Sequence, residues 1–159
     1  MMKLTLYTDY SLRVLLYLAS APENNKLIQI KEIAEAYGIS KNHLMKVTFH
    51  LGKLGYVETI RGRNGGLLLA KEPKEVIIGE LVRQTEEDFH IVECFQDHES
   101  CIISPHCKLK GVLYKATQAF ISVLDQYTLA DLISNKEQLT TLLFPDEKKA
   151  DKNKESNQD

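Results

Sequence analysis

Cys94, Cys101 and Cys107 are the only thiols of the chain, and all three fall in one stretch, VECFQDHESCIISPHCKLKG, from Val92 to Gly111. Six residues separate the first two and five separate the last two. Disulfides consume thiols in pairs and a closed zinc site takes a tetrahedral set, so three thiols leave a deficit in either chemistry. Free cysteines often serve as small buried hydrophobes, but those scatter through core elements rather than gather in a polar loop. Zinc sites pair cysteines at spacings of about two to four residues, narrower than these. An iron–sulfur cluster is larger than one ion and suits wider spacings. A four-iron cubane would take one cysteine on each of three irons and a different ligand on the last. His90, Glu93, Asp97, His98, Glu99 and His106 are local candidates, and spacing does not choose among them. The hydrophobe and zinc readings stay open at this point.

The compartment bears on that choice. The N-terminal run MMKLTLYTDYSLR has polar residues where a signal peptide needs an apolar core. No apolar run approaches the roughly 20 residues that span a bilayer. The expected location is the cytoplasm, with no membrane association. Thiols stay reduced there, and clustered cysteines bind metal or sense redox state. A length of 159 residues suits one compact domain.

The elements that must position the loop read as helices broken by one hairpin, a mainly α fold. Thr8 is the expected cap of a first helix, with Asp9 in its first turn and apolar residues at 12, 15, 16 and 19. A short helix is expected from Ile30 to Tyr37, stopped by Gly38. Ser40 then caps a helix over about 41–54, with Leu44, Val47, Leu51 and Leu54 on one face. Two short helices joined by a glycine turn form a helix-turn-helix. YVETI, RGRNGG and LLLA follow as strand, turn and strand, and Asn64-Gly65 predicts a two-residue hairpin turn. The result is a winged helix-turn-helix. The stretch VIIGELVRQTEEDF predicts another helix, and Leu109 to Tyr127 carry the longest amphipathic stripe in the chain. So long a stripe on so small a domain predicts a dimerisation helix and a homodimer. The expected organisation is a DNA-binding unit over 1–80, a cluster loop over 81–108, dimerisation and closing helices over 109–144, and a disordered tail over 145–159.

Charge separates these parts. Residues 26–71 hold eight Lys or Arg and three Glu, whereas residues 72–107 hold two basic and nine acidic residues. A basic half predicts a polyanion partner, double-stranded DNA. Ser40, Lys41, Asn42, His43 and Lys46 open the second helix of the helix-turn-helix, where they can donate to phosphates or base edges. Arg61 and Arg63 sit on the wing, placed for a minor groove. An ordinary solvated helix face is the competing reading. No nucleophile motif, phosphate loop or cofactor fingerprint is present, so no enzyme is expected.

The chain resembles the Rrf-type winged-helix transcription regulators from Met2 to Phe144. MKLTLYTDYSLRVLLYLA, ISKNHLMKVTFHLGKLGYVETIRGRNGG, IGELVR and VECF carry the resemblance, with SKNHLMKV and GYVETIRGR the most telling. The likeness is greatest to the nitric-oxide-sensing branch found in Bacillus-like bacteria. The iron–sulfur-regulator branch carries a ligand His three residues after the third cysteine, and Lys110 stands there instead. The nitric-oxide branch carries a Thr-Asp pair before its first helix, matched by Thr8-Asp9.

The resemblance implies that Cys94, Cys101, Cys107 and the Asp9 of the other subunit hold one four-iron four-sulfur cluster per subunit. Asp9 read alone is only a helix-start carboxylate favoured by the macrodipole. The family further implies a repressor that leaves an inverted-repeat operator when nitric oxide arrives. Its targets would be nitrosative-stress and nitrate or nitrite respiration genes. A regulator sensing iron–sulfur or redox status, or a zinc-binding structural variant, is the alternative.

Overall fold

The computed structural model describes residues 2–97 and 101–147. Helix α1 spans Leu6–Ala19, α2 Ile30–Tyr37 and α3 Lys41–Lys53. Strands β1 (Val57–Ile60) and β2 (Gly66–Leu69) make an antiparallel hairpin. Then come α4 (Ile78–Thr85), α5 (Lys108–Leu124), α6 (Leu129–Leu132) and α7 (Lys136–Leu143). The fold is mainly helical with one hairpin, as the sequence predicts.

Helix α1 begins one turn earlier than expected. Thr5, not Thr8, is the cap, and its hydroxyl accepts from the Thr8 N–H at 3.2 Å. Thr8 itself is fully buried. Both threonines suit a cap, and the buried Thr8 side chain belongs to the core-facing side of the helix. The Thr5 N–H and hydroxyl both donate to Glu86 Oε1, at 2.8 and 3.0 Å. That pair of bonds ties the start of α1 to the end of α4.

Helix α2 matches its expected bounds. Gly38 ends it at φ 65°, a left-handed conformation that a Cβ disfavours. Ser40 occupies the cap position of α3, but its hydroxyl makes no capping bond. Val14, Leu15, Ile33, Leu44, Leu51 and Leu81 are buried where α1, α2, α3 and α4 meet. Burial of such aliphatic side chains contributes about 1.5–3 kcal/mol each.

The hairpin turns differently from the prediction. Ile60 pairs with Gly66, leaving a five-residue tip over 61–65. A two-residue turn at Asn64-Gly65 would need left-handed backbone at both residues. Gly62 takes a positive φ here, 111°, whereas Asn64 and Gly65 do not. Gly65 is needed for another reason: a Cβ there would overlap the Ile60 carbonyl. Strand β2 is also held from outside the hairpin. Leu67 donates to the Ile28 carbonyl at 2.7 Å, and Ile28 donates back at 3.1 Å.

The expected helix after Pro73 is shorter than its apolar pattern. A 3-10 turn at Pro73–Glu75 precedes it, and it stops at Thr85. Arg83 of α4 grips Asp125, at the end of α5, through two parallel bonds of 2.6 Å. Gly79 lies beneath that clasp, where a Cβ would overlap the Asp125 carboxylate. Helices α6 and α7 return to α1. Phe144 is buried on Tyr17, with ring centroids 4.6 Å apart. Residues 145–147 are helical, and the rest of the expected tail lies outside the described residues.

Candidate functional site

The second helix of the helix-turn-helix buries Leu44, Val47, Thr48 and Leu51. Helical periodicity then turns Asn42, Lys46, Phe49 and Lys53 to the opposite side. Ser40, Lys41, Asn42, His43 and Lys46 are all exposed. His43 sits nearer α1, with its ring 6.3 Å from that of Tyr10. Half-buried His50 lies on the same side and shares a hydrogen bond with the Tyr7 hydroxyl. Burial pushes the Tyr7 hydroxyl above its ordinary pKa. Beyond the shared core, two ring pairs link α1 to α3, Tyr7 with His50 and Tyr10 with His43. Sequence reading does not anticipate this link. Tyr7 and Tyr10, one turn apart on α1, were the available signal.

Arg61 and Arg63 are exposed at the tip of the hairpin. Gly62 between them makes the sharp reversal that lets both leave the strand. The basic residues of α3 and of the wing thus lie on exposed positions of consecutive elements. Sequence reading missed three further exposed residues of α3, namely Met45, Phe49 and Lys53. The Lys53 ammonium lies 4.6 Å from the Phe49 ring centre. Their spacing from Asn42 and Lys46 was the signal.

Asp9 lies in the first turn of α1 and is half-buried. Its carboxylate meets the Arg13 guanidinium at 3.0 and 3.1 Å, one helical turn on. Among the described residues, no bond ties it to the cysteine segment of its own chain.

Between Glu86 and Cys107 no described residue is buried. Cys94 stands in a 3-10 turn at Glu93–Phe95, and Cys107 follows another at Ser104–His106. All three thiols are free, with Cys101 exposed and the other two partly covered. Cys107 borders an open cleft of about 680 Å³, together with Phe89, His90, Phe95 and Tyr114. Among the described residues, no three His, Cys, Asp or Glu side chains converge as a metal-ligand set. The thiols therefore suit an iron–sulfur cluster in donor chemistry and chain proximity, not in their present positions. His98 and Glu99, named as ligand candidates, lie outside the described residues. His90 is occupied by the Asp88 carboxylate at 3.5 Å.

A helix-turn-helix followed by a basic hairpin defines a winged-helix DNA-binding regulator. The family described as Rrf2, iron-dependent transcriptional regulator, matches residues 4–135, and the chain belongs to it. It is a transcription regulator and not an enzyme. It is 60% identical over 143 residues to the HTH-type transcriptional regulator NsrR of Bacillus licheniformis, across 89% of this chain and 99% of that one. The solved structure of CymR, the global cysteine regulator of B. subtilis, superposes with a TM-score of 0.68 at 28% identity, over 85% of this chain and 98% of that one. The IscR structure of T. potens gives 0.67 at 27%, over 87% and 90%. Among the described residues no helix is long and apolar enough to cross a membrane.

Proposed function

We propose that the chain is a homodimeric repressor that senses nitric oxide through a four-iron four-sulfur cluster in each subunit. Residues 1–80 form the DNA-reading unit, 81–108 the cluster segment and 109–144 the dimer region. The observation that carries the reading is the set of three free thiols in one unburied segment, in a chain so similar to NsrR. Soft thiolates suit iron–sulfur irons, and Cys94, Cys101 and Cys107 would hold three of them. Asp9 of the partner subunit would hold the last. Such a cluster would supply the iron chemistry with which nitric oxide reacts.

The chain's own groups explain how such a ligand could govern DNA binding. Without the cluster, Asp9 rests on Arg13, a partly exposed pair worth a few tenths of a kcal/mol. Exchange of that partner would act at the start of α1, where Tyr7 and Tyr10 contact His50 and His43 of α3. Leu109 and Val112 are 62% and 60% exposed, and Phe120 and Val123 continue the same open stripe on α5. A second copy of α5 would cover it. Two recognition helices set one helical turn apart would then read an inverted repeat. Nitrosative-stress and nitrate or nitrite respiration genes are the proposed targets.

The test is anaerobic purification with iron and sulfide assay, absorption spectra and operator binding before and after nitric oxide. About four irons and four sulfides per chain are expected, with loss of binding on exposure. Cys101→Ser should lose the metal while staying folded. Zinc alone, or binding indifferent to nitric oxide, would refute the reading.

A further inference from the structure

We infer that Met45 and Phe49 form an apolar reading edge on α3 that selects thymine at fixed positions of the bound duplex. The inference rests on α3 being the DNA-reading helix. Phe49 is 65% exposed and Met45 49%, one helical turn apart and so contiguous. Two large apolar side chains in open water oppose the hydrophobic effect, and such a patch marks a contact surface.

The surroundings specify the partner. Asn42 and Lys46 lie on the same side of the helix, and the Lys53 ammonium sits over the Phe49 ring. Arg61 and Arg63 extend the basic surface to the wing. A surface with cations around an apolar strip is complementary to a polyanion that presents apolar groups. In the major groove the only such group is the thymine C5-methyl. Asn42 and Lys46 would hydrogen-bond base edges and phosphates. Met45 and Phe49 would cover the methyl groups that those polar side chains cannot reward. Lys53 would leave the ring for a phosphate on docking.

The experiment uses the full chain, purified anaerobically, and a randomised pool of synthetic duplexes. Bound duplexes are selected and sequenced. Each thymine of the recovered half-site is then replaced by uracil, which keeps the pairing and removes only the methyl. Wild-type affinity should fall about fourfold at one or two positions, the worth of one buried methyl. Phe49→Ala or Met45→Ala should bind the thymine and uracil duplexes equally at its position. The salt dependence should be unchanged, because no charge is lost. Phe49→Leu keeps an apolar edge and should keep the discrimination. A half-site without thymine, a wild-type chain blind to uracil, or alanine variants that still discriminate would each overturn the inference. A chain that retains no duplex from the pool would instead overturn the DNA-reading role of α3, and this inference with it.

Discussion

The DNA-reading unit and the cysteine segment are built on opposite terms. In the first, α3 packs Leu44 and Leu51 into the core with no exposure at all, and the second strand of the wing is bonded at Leu67 to Ile28. In the second, two isolated 3-10 turns join an open chain in which no described side chain is buried. One region has its shape before any ligand arrives. The other keeps its thiols free and has little packing to resist rearrangement. A segment of this kind could be reorganised by a ligand without unfolding the helix-turn-helix.

The contrast is broken or sharpened most directly by matched core and loop substitutions. Leu44→Ala should destabilise the cluster-free chain by about 2–5 kcal/mol, the range for a large-to-small change in a packed core. Cys101→Ala in the same chain should stay within about 0.5 kcal/mol. Urea unfolding of chelator-treated protein measures both. A comparable loss at Cys101 would mean that the segment is packed after all.

A smaller effect is expected at the seam between the regions. Gly79→Ala puts a methyl into the Asp125 carboxylate, with the Asp125 backbone nitrogen at 2.9 Å leaving no second way out. Displacing α5 from α4 should cost about 1–3 kcal/mol. Thermal melts would register it, and an unchanged midpoint would show that α5 is loosely seated.

The smallest effect belongs to the clasp itself. The two Arg83 bonds hold the Asp125 carboxyl below its ordinary value of 3.8. The unfolded chain therefore takes up that proton first as pH falls. The pair's contribution is full above the ordinary aspartate value and drains away as pH drops through the lowered one. Asp125→Asn should flatten that part of the acid-side stability curve. The groups are exposed, so the change should be slight. A curve unaltered by the substitution would mean that the clasp contributes nothing in solution.

Much of the reader was legible because its signals are local. Helix α2 and its Gly38 stop follow from spacing and one left-handed residue. The start of α1 was misplaced because Thr5 and Thr8 both suit a cap, and only tertiary burial separates them. Asn64-Gly65 suits a tight turn in isolation, but pairing of Ile60 with Gly66 leaves five residues to close. The outward line of α3 was read for polar donors alone, so Met45 and Phe49 were passed over. The cysteines were legible as donors and not as a site. Any convergence would depend on long-range geometry that residue spacing does not carry, and the proposed carboxylate would come from another chain.

The two bonds between Ile28 and Leu67 have a consequence for how this regulator can diversify. A hairpin's register is ordinarily set by its turn, so a change of loop length slips the strands and turns their side chains over. Here the register is also clamped from outside the hairpin, at Leu67, one pair inside the Ile60–Gly66 closure. Residues 61–65 are free to lengthen, shorten or be exchanged for another loop while Leu67 keeps its place in the core. The side chains at the wing tip can therefore change independently of the helix-turn-helix, and grafted tips should be accepted as interchangeable parts.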